Sequence, residues 1–100
     1  MTTLTLAISR PAEVDLAEAL AWYKQVRPGL ENDLALCVEE TLGRILRSPE
    51  AFPVVLADVR RAMIRRFPYG ILFRARADRV EVLAVFHCRR DPSCWRRRAE

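Results

Sequence analysis

Along the first eight residues, Leu4, Leu6 and Ile8 alternate with Thr3, Thr5 and Ala7, a period of two that predicts a strand with one buried face. Pro11 ends it. Proline suits the first turn of a helix, where its missing N–H costs nothing, and Glu13, Asp15 and Glu18 place negative charge near the positive end of the helix dipole. A first helix is predicted over about residues 11–25, with Leu16, Leu20 and Tyr23 on one stripe and Trp22 and Tyr23 both serving helix packing. Arg27-Pro28-Gly29 reads as a tight turn. Beyond it Leu30, Leu34, Cys37, Val38, Thr41, Leu42 and Ile45 recur at three- and four-residue steps as far as Ser48-Pro49. A second helix therefore folds back on the first as an antiparallel hairpin. Gly43 weakens that helix by up to ~1 kcal/mol and is expected to mark a close approach of the first.

After Pro49 and Pro53 the pattern returns to strands. Residues 59–67, 70–77 and 80–87 form three runs, separated by Pro68-Tyr69-Gly70 and Ala77-Asp78-Arg79, both short enough for hairpin turns. A three-stranded meander follows. Val80, Val82, Ala84 and Phe86 fall on one face of the last run and Leu83 and Val85 on the other, so this strand is expected to be central and covered on both sides. Asp91-Pro92 opens a short terminal helix over about residues 93–98. The prediction is a single small α+β domain over residues 1–100: an antiparallel sheet with an N-terminal strand, a helical hairpin, the meander and a short C-terminal helix.

A chain of 100 residues has room for one core, and 51% hydrophobic content argues against disorder. No apolar run approaches the ~20 residues needed to span a bilayer, and the N-terminus lacks the features of a secretory signal, so a soluble cytoplasmic protein with no membrane partner is expected. Cys37, Cys88 and Cys94 form no Cys-x-x-Cys pair and are expected to be reduced. No ligand set of zinc spacing is present, and neither metal nor cofactor is expected.

Charge is divided unevenly. Residues 1–59 carry 5 basic and 9 acidic side chains, residues 60–100 carry 12 and 4, and every basic residue except Lys24 is arginine. A GC-rich genome favours arginine over lysine but does not explain the clustering. Arg60, Arg61, Arg65, Arg66, Arg74, Arg76, Arg89, Arg90, Arg96, Arg97 and Arg98 come from strands and tail that the meander brings together, which predicts an arginine-rich face toward an acidic partner.

Four stretches in this order resemble one family, the RelE/ParE toxins. They are Trp22-Tyr23 with Arg27-Pro28-Gly29-Leu30, then Ser48-Pro49-Glu50-Ala51-Phe52-Pro53. Arg60-Arg61-Ala62 with Arg65-Arg66-Phe67-Pro68-Tyr69-Gly70-Ile71 follows, and Val85-Phe86-His87-Cys88-Arg89-Arg90-Asp91-Pro92 with Trp95 closes the series. The resemblance covers nearly the whole chain and is stronger to the ParE-like than to the RelE-like branch. It implies a toxin neutralised by an antitoxin, ParD-like with an acidic, partly disordered tail, that wraps around it. ParE-like toxins are associated with poisoning DNA gyrase, RelE-like toxins with cutting messenger RNA on the ribosome, and fold alone does not choose between them.

Metal-free RNA cleavage needs a base, an acid and cations around the phosphate. Arg65 and Arg90 stand where the RelE-like branch keeps functional arginines, but arginine is a poor base. Residues 56–63 hold no lysine, and Trp95 lies near where that branch has a tyrosine. His87 is the only histidine, the side-chain type suited to acid–base work at neutral pH, and ordering the turn into the terminal helix accounts for it more simply. Cys88 and Cys94 have no activating triad, and Tyr69 reads as an aromatic plug on the sheet. The preferred reading is a non-enzymatic gyrase poison. It uses Arg60, Arg61, Arg65, Arg66, Arg74, Arg89, Arg90, Trp95 and Arg97 against antitoxin or target. The alternatives are a ribonuclease built on Arg65, His87 and Arg90, with ribosome and messenger RNA as partners, and a binding module without toxicity.

Overall fold

A computed structural model describes residues 4–88. The predicted terminal helix and Arg89, Arg90, Cys94, Trp95 and Arg97 lie outside the described residues.

The order of elements is β1 (Thr5–Ile8), α1 (Arg10–Val26), α2 (Leu30–Arg47), a 3-10 turn (Pro49–Ala51), β2 (Val54–Leu56), β3 (Val59–Met63), β4 (Tyr69–Ala75) and β5 (Arg79–His87). The five strands form one sheet in the order β1-β5-β4-β3-β2. The α+β class is as expected, but the sheet is mixed. β1 runs parallel to β5, with Leu6 opposite Val80, while the other pairs are antiparallel. A parallel pair needs a long crossover, and here everything between β1 and β5 supplies it. β2 was not foreseen; between Pro53 and the two-residue turn Ala57-Asp58 it is only three residues long, too short for a periodic signal.

Ser9 starts α1. Its hydroxyl accepts the Ala12 N–H at 3.2 Å and donates to the Leu83 carbonyl at 3.3 Å, so one side chain both caps the helix and fixes it to β5. Gly29 starts α2 at φ +101°, where an L side chain is strained, and its N–H is taken by the Glu31 carboxylate. The two helices lie on one face of the sheet over Phe73, Ile71, Val80 and Val82, with Leu34, Val38 and Ile45 beneath α2. Thr41, buried in this core, donates back to the Cys37 carbonyl at 2.8 Å. Gly43 does not mark a helix approach: a Cβ there would meet only the Arg47 Nη1, at 3.6 Å.

On the opposite face Val59, Leu72 and Ala84 are buried together, flanked by Val55, Leu83 and Phe86. Both faces of β5 are therefore apolar, but the predicted grouping of its residues is wrong. Leu72 pairs with Ala84 and Phe73 with Val82, leaving Leu83 as the extra residue of a β-bulge. The bulge switches the alternation: Val80, Val82 and Val85 face the helices, Ala84 and Phe86 the other side. Gly70 lies opposite Phe86, where a Cβ would come within 2.7 Å of the ring.

β3 also ends earlier than predicted. Its last pair is Met63 with Gly70, and residues 64–68 form a turn in which the Ile64 N–H donates to the Tyr69 carbonyl at 2.9 Å. Phe67 turns inward onto Tyr23, with ring centroids 5.1 Å apart, and Arg66 is driven to φ +72°. Arg65 and Arg66 therefore do not project to opposite faces of a strand; both stand exposed on a turn.

Candidate functional site

β1 accompanies β5 only as far as Val82, after which the chain leaves the sheet through Ser9 into α1. From Leu83 onward the neighbour of β5 on that side is a helix instead of a strand. Asp15 adapts to this by accepting the Val85 N–H at 3.0 Å. Where α1 diverges from the strand a cleft of about 520 Å³ opens, lined by Asp15, Glu18, Ala19, Trp22, Tyr69, Val85 and His87. That size lies within the range of ordinary ligand pockets.

The bulge at Leu83 puts His87 there. With unbroken alternation His87 would share the face of Leu83 and Val85 opposite Val82; the extra residue brings Val85 and His87 to the helix side with Val82. The His87 ring meets Tyr69 edge to face, centroids 5.1 Å apart, and Tyr69 is buried in an aromatic group with Tyr23 and Phe67. The plug expected of Tyr69 is what is found. Burial also raises the pKa of the Tyr23 phenol. Trp22 departs from expectation: Tyr23 takes the packing position at 8% exposure, whereas Trp22, one residue round the helix, is 56% exposed at the cleft rim. Asp15, Glu18 and Trp22 were not singled out for this site, because nothing local in sequence reveals that α1 departs from β5 at that level.

The described arginines do not assemble into one basic face. Arg60 points to the helix side and donates to the Phe52 carbonyl at 2.7 Å, holding the 3-10 turn against β3. Arg61, its neighbour on β3, is exposed on the opposite side. Arg65 and Arg66 reach back to α2, to Glu40 at 3.2 Å and Asp33 at 3.8 Å. At the other end of the sheet Arg74 donates to Asp58 at 2.8 Å, and Arg76 joins Asp58 and Glu81 at 3.5 and 3.3 Å. Hydrogen bonding from Arg74 is the main reason the Asp58 carboxyl titrates below its ordinary range, and Arg79 acts likewise on Glu81. An alternating charge pattern across adjacent strands thus pairs much of the arginine within the molecule.

Cys88 is exposed, yet partial desolvation raises its thiol pKa more than nearby Arg61 lowers it, so it is protonated at neutral pH and a weak nucleophile. Among the described residues no group of three or more His, Cys, Asp or Glu is placed to hold a metal, and no helix is long and apolar enough to cross a membrane.

This architecture has a solved counterpart. The structure described as "Chromosomal ParDE TA system from P. aeruginosa" matches with a TM-score of 0.75 over 85% of this chain and 96% of that one, at 18% identity, so the two share a fold. The family model for the "ParE toxin of type II toxin-antitoxin system, parDE" matches residues 6–92, and the chain belongs to that family. Toxin ParE2 of Mycobacterium tuberculosis, from strains CDC 1551 and H37Rv, is 28% identical over 92 residues, covering 91% of this chain and 88% of the relative.

Proposed function

We propose that this ParE-family toxin arrests growth by binding DNA gyrase, and that a ParD-like antitoxin with an acidic, partly disordered tail neutralises it. The observation that carries the non-enzymatic reading is the chemistry around His87. Asp15 and Glu18 share its cleft, and no arginine or lysine among the described residues lines it. RNA cleavage concentrates negative charge on a phosphate and needs cations there, whereas two carboxylates repel it. Arg65, the other described member of the ribonuclease set, is turned toward Glu40. The antitoxin reading is supported by family membership, the family being described as one half of a toxin–antitoxin pair. Exposed Arg61, Arg65 and Arg66, with Arg89, Arg90, Trp95 and Arg97 beyond the described residues, are the side chains proposed to meet antitoxin or gyrase. Arg60 and Arg74, already engaged within the fold, act through the parts they hold. Such a pair acts in the cytoplasm and serves plasmid stabilisation.

The test is to induce the chain in growing cells, map messenger RNA 5′ ends and follow DNA damage. Intact messages with induced damage are expected. Codon-phased cuts would replace this reading with the ribonuclease.

A further inference from the structure

One row of α1 is exposed and out of step with the buried stripe of Ala12, Ala19 and Tyr23. Val14, Glu18, Trp22 and Val26 follow each other at four-residue steps, one above the next on the helix surface. All four are exposed: Val14 at 45%, Trp22 and Val26 each at 56%. Three large apolar side chains with one carboxylate among them make a mostly apolar surface.

The row meets the cleft at its middle, because Glu18 and Trp22 line both. The geometry points to this cleft as the receptor for a single basic side chain, arginine or lysine, carried on an extended or helical segment of a protein partner whose flanking residues are apolar. Three features select that occupant. Glu18 makes no ion pair or side-chain hydrogen bond with a described residue, and Asp15, already engaged by the Val85 N–H, stands on the same wall as a second carboxylate. Trp22 offers an exposed indole beside those carboxylates, and indole is the best of the aromatic faces for a cation. The row continues past the cleft in both directions as Val14 and Val26, giving length that a small cation does not use. An acidic tail, the chemistry that the arginines invite, would be repelled here. The inference rests on the reading of the chain as one member of a protein complex, and adds that the two partners exchange charge both ways.

The probe is the tripeptide N-acetyl-Val-Arg-Val-amide, titrated into full-length 15N-labelled protein while the Trp22 indole N–H resonance is followed, assigned with Trp22→Phe. Controls carry glutamate or norleucine in place of arginine, and spermidine serves as a small cation. A saturable shift is expected at millimolar arginine peptide, weakened about fivefold by Glu18→Gln, as one half-exposed ion pair with a stacked cation allows. Norleucine and glutamate peptides should bind at least about fivefold more weakly than arginine. No saturable shift up to about 20 mM would overturn the assignment, since binding weaker than that is below ~2.3 kcal/mol. Equal affinity for norleucine, or indifference to Glu18→Gln, would also overturn it, and spermidine binding as tightly as the peptide would overturn its protein-partner half. A chain that takes the arginine peptide but leaves gyrase active refutes the gyrase reading alone; a gyrase poison that ignores the peptide refutes only the cleft.

Discussion

Replacing Asp15 by alanine removes the carboxylate that ties α1 to β5 at the cleft. The Asp15 carboxylate accepts the Val85 N–H at 3.0 Å, at the level where β5 has lost β1 as a neighbour. Val85 is 7% exposed, so without the carboxylate its N–H has poor access to water. Leaving such a donor unpaired costs about 1–3 kcal/mol, and a charged acceptor lies toward the upper end. Alanine returns roughly 0.6 kcal/mol in helix propensity within α1. The net expectation is a loss of about 1–2.5 kcal/mol, lowering Tm by roughly 4–20 °C in a domain of this size. Asp15→Asn keeps an acceptor oxygen and should lose less than half as much. Glu18→Ala, on the same helix but exposed, should change stability by no more than about 0.5 kcal/mol. Urea unfolding followed by circular dichroism reads all three. Should Asp15→Ala match or exceed the parent, the Val85 N–H must be hydrated, and the account of how α1 replaces β1 beside β5 fails.

Two glycines of the hairpin should respond with opposite sign. Gly43→Ala should stabilise by about 0.5–1 kcal/mol, since its Cβ meets only the end of Arg47, while Gly29→Ala at φ +101° should cost about 1–2 kcal/mol, both measurable by urea midpoint. Asp58 and Glu81 have depressed folded-state pKa values, so their contribution is present above the ordinary carboxylate pKa of about 4 and is lost as pH falls through the folded values. Asp58→Asn with Glu81→Gln should therefore flatten the decline of stability below about pH 4 while leaving the slope between pH 6 and 8 unchanged, and salt should shrink the difference. Phe73→Ala removes a fully buried ring between sheet and helices and should cost about 3–5 kcal/mol, read from the urea midpoint.

Local periodicity revealed most elements of this fold. Leu4, Leu6 and Ile8 marked β1, the three- and four-residue repeats marked both helices, and Pro28-Gly29 marked their turn. What escaped depends on partners far along the chain. Leu6 pairs with Val80, and no pattern near Leu6 says so. The bulge at Leu83 carries no glycine to announce it, and an apolar residue at each of positions 82–86 allows either phase. Arg65 and Arg66 read as strand because the run continues apolar through Phe67; Pro68, lacking an N–H, and the inward turn of Phe67 decide otherwise. His87 and Tyr69 were recognisable one at a time. Their company, Asp15, Glu18 and Trp22, was not, although the exposed four-residue row on α1 was present in the sequence beside the buried stripe. The charge count predicted one arginine face because it ignored Asp58, Glu81, Glu40 and Asp33, which the fold brings to meet those arginines.

Purified chain added to DNA gyrase and relaxed plasmid provides the most direct measurement. Loss of supercoiling, equal for the parent and for His87→Ala, is the predicted result. Undiminished supercoiling at molar excess of the chain, alongside cleavage of ribosome-bound transcripts that His87→Ala abolishes, would contradict it.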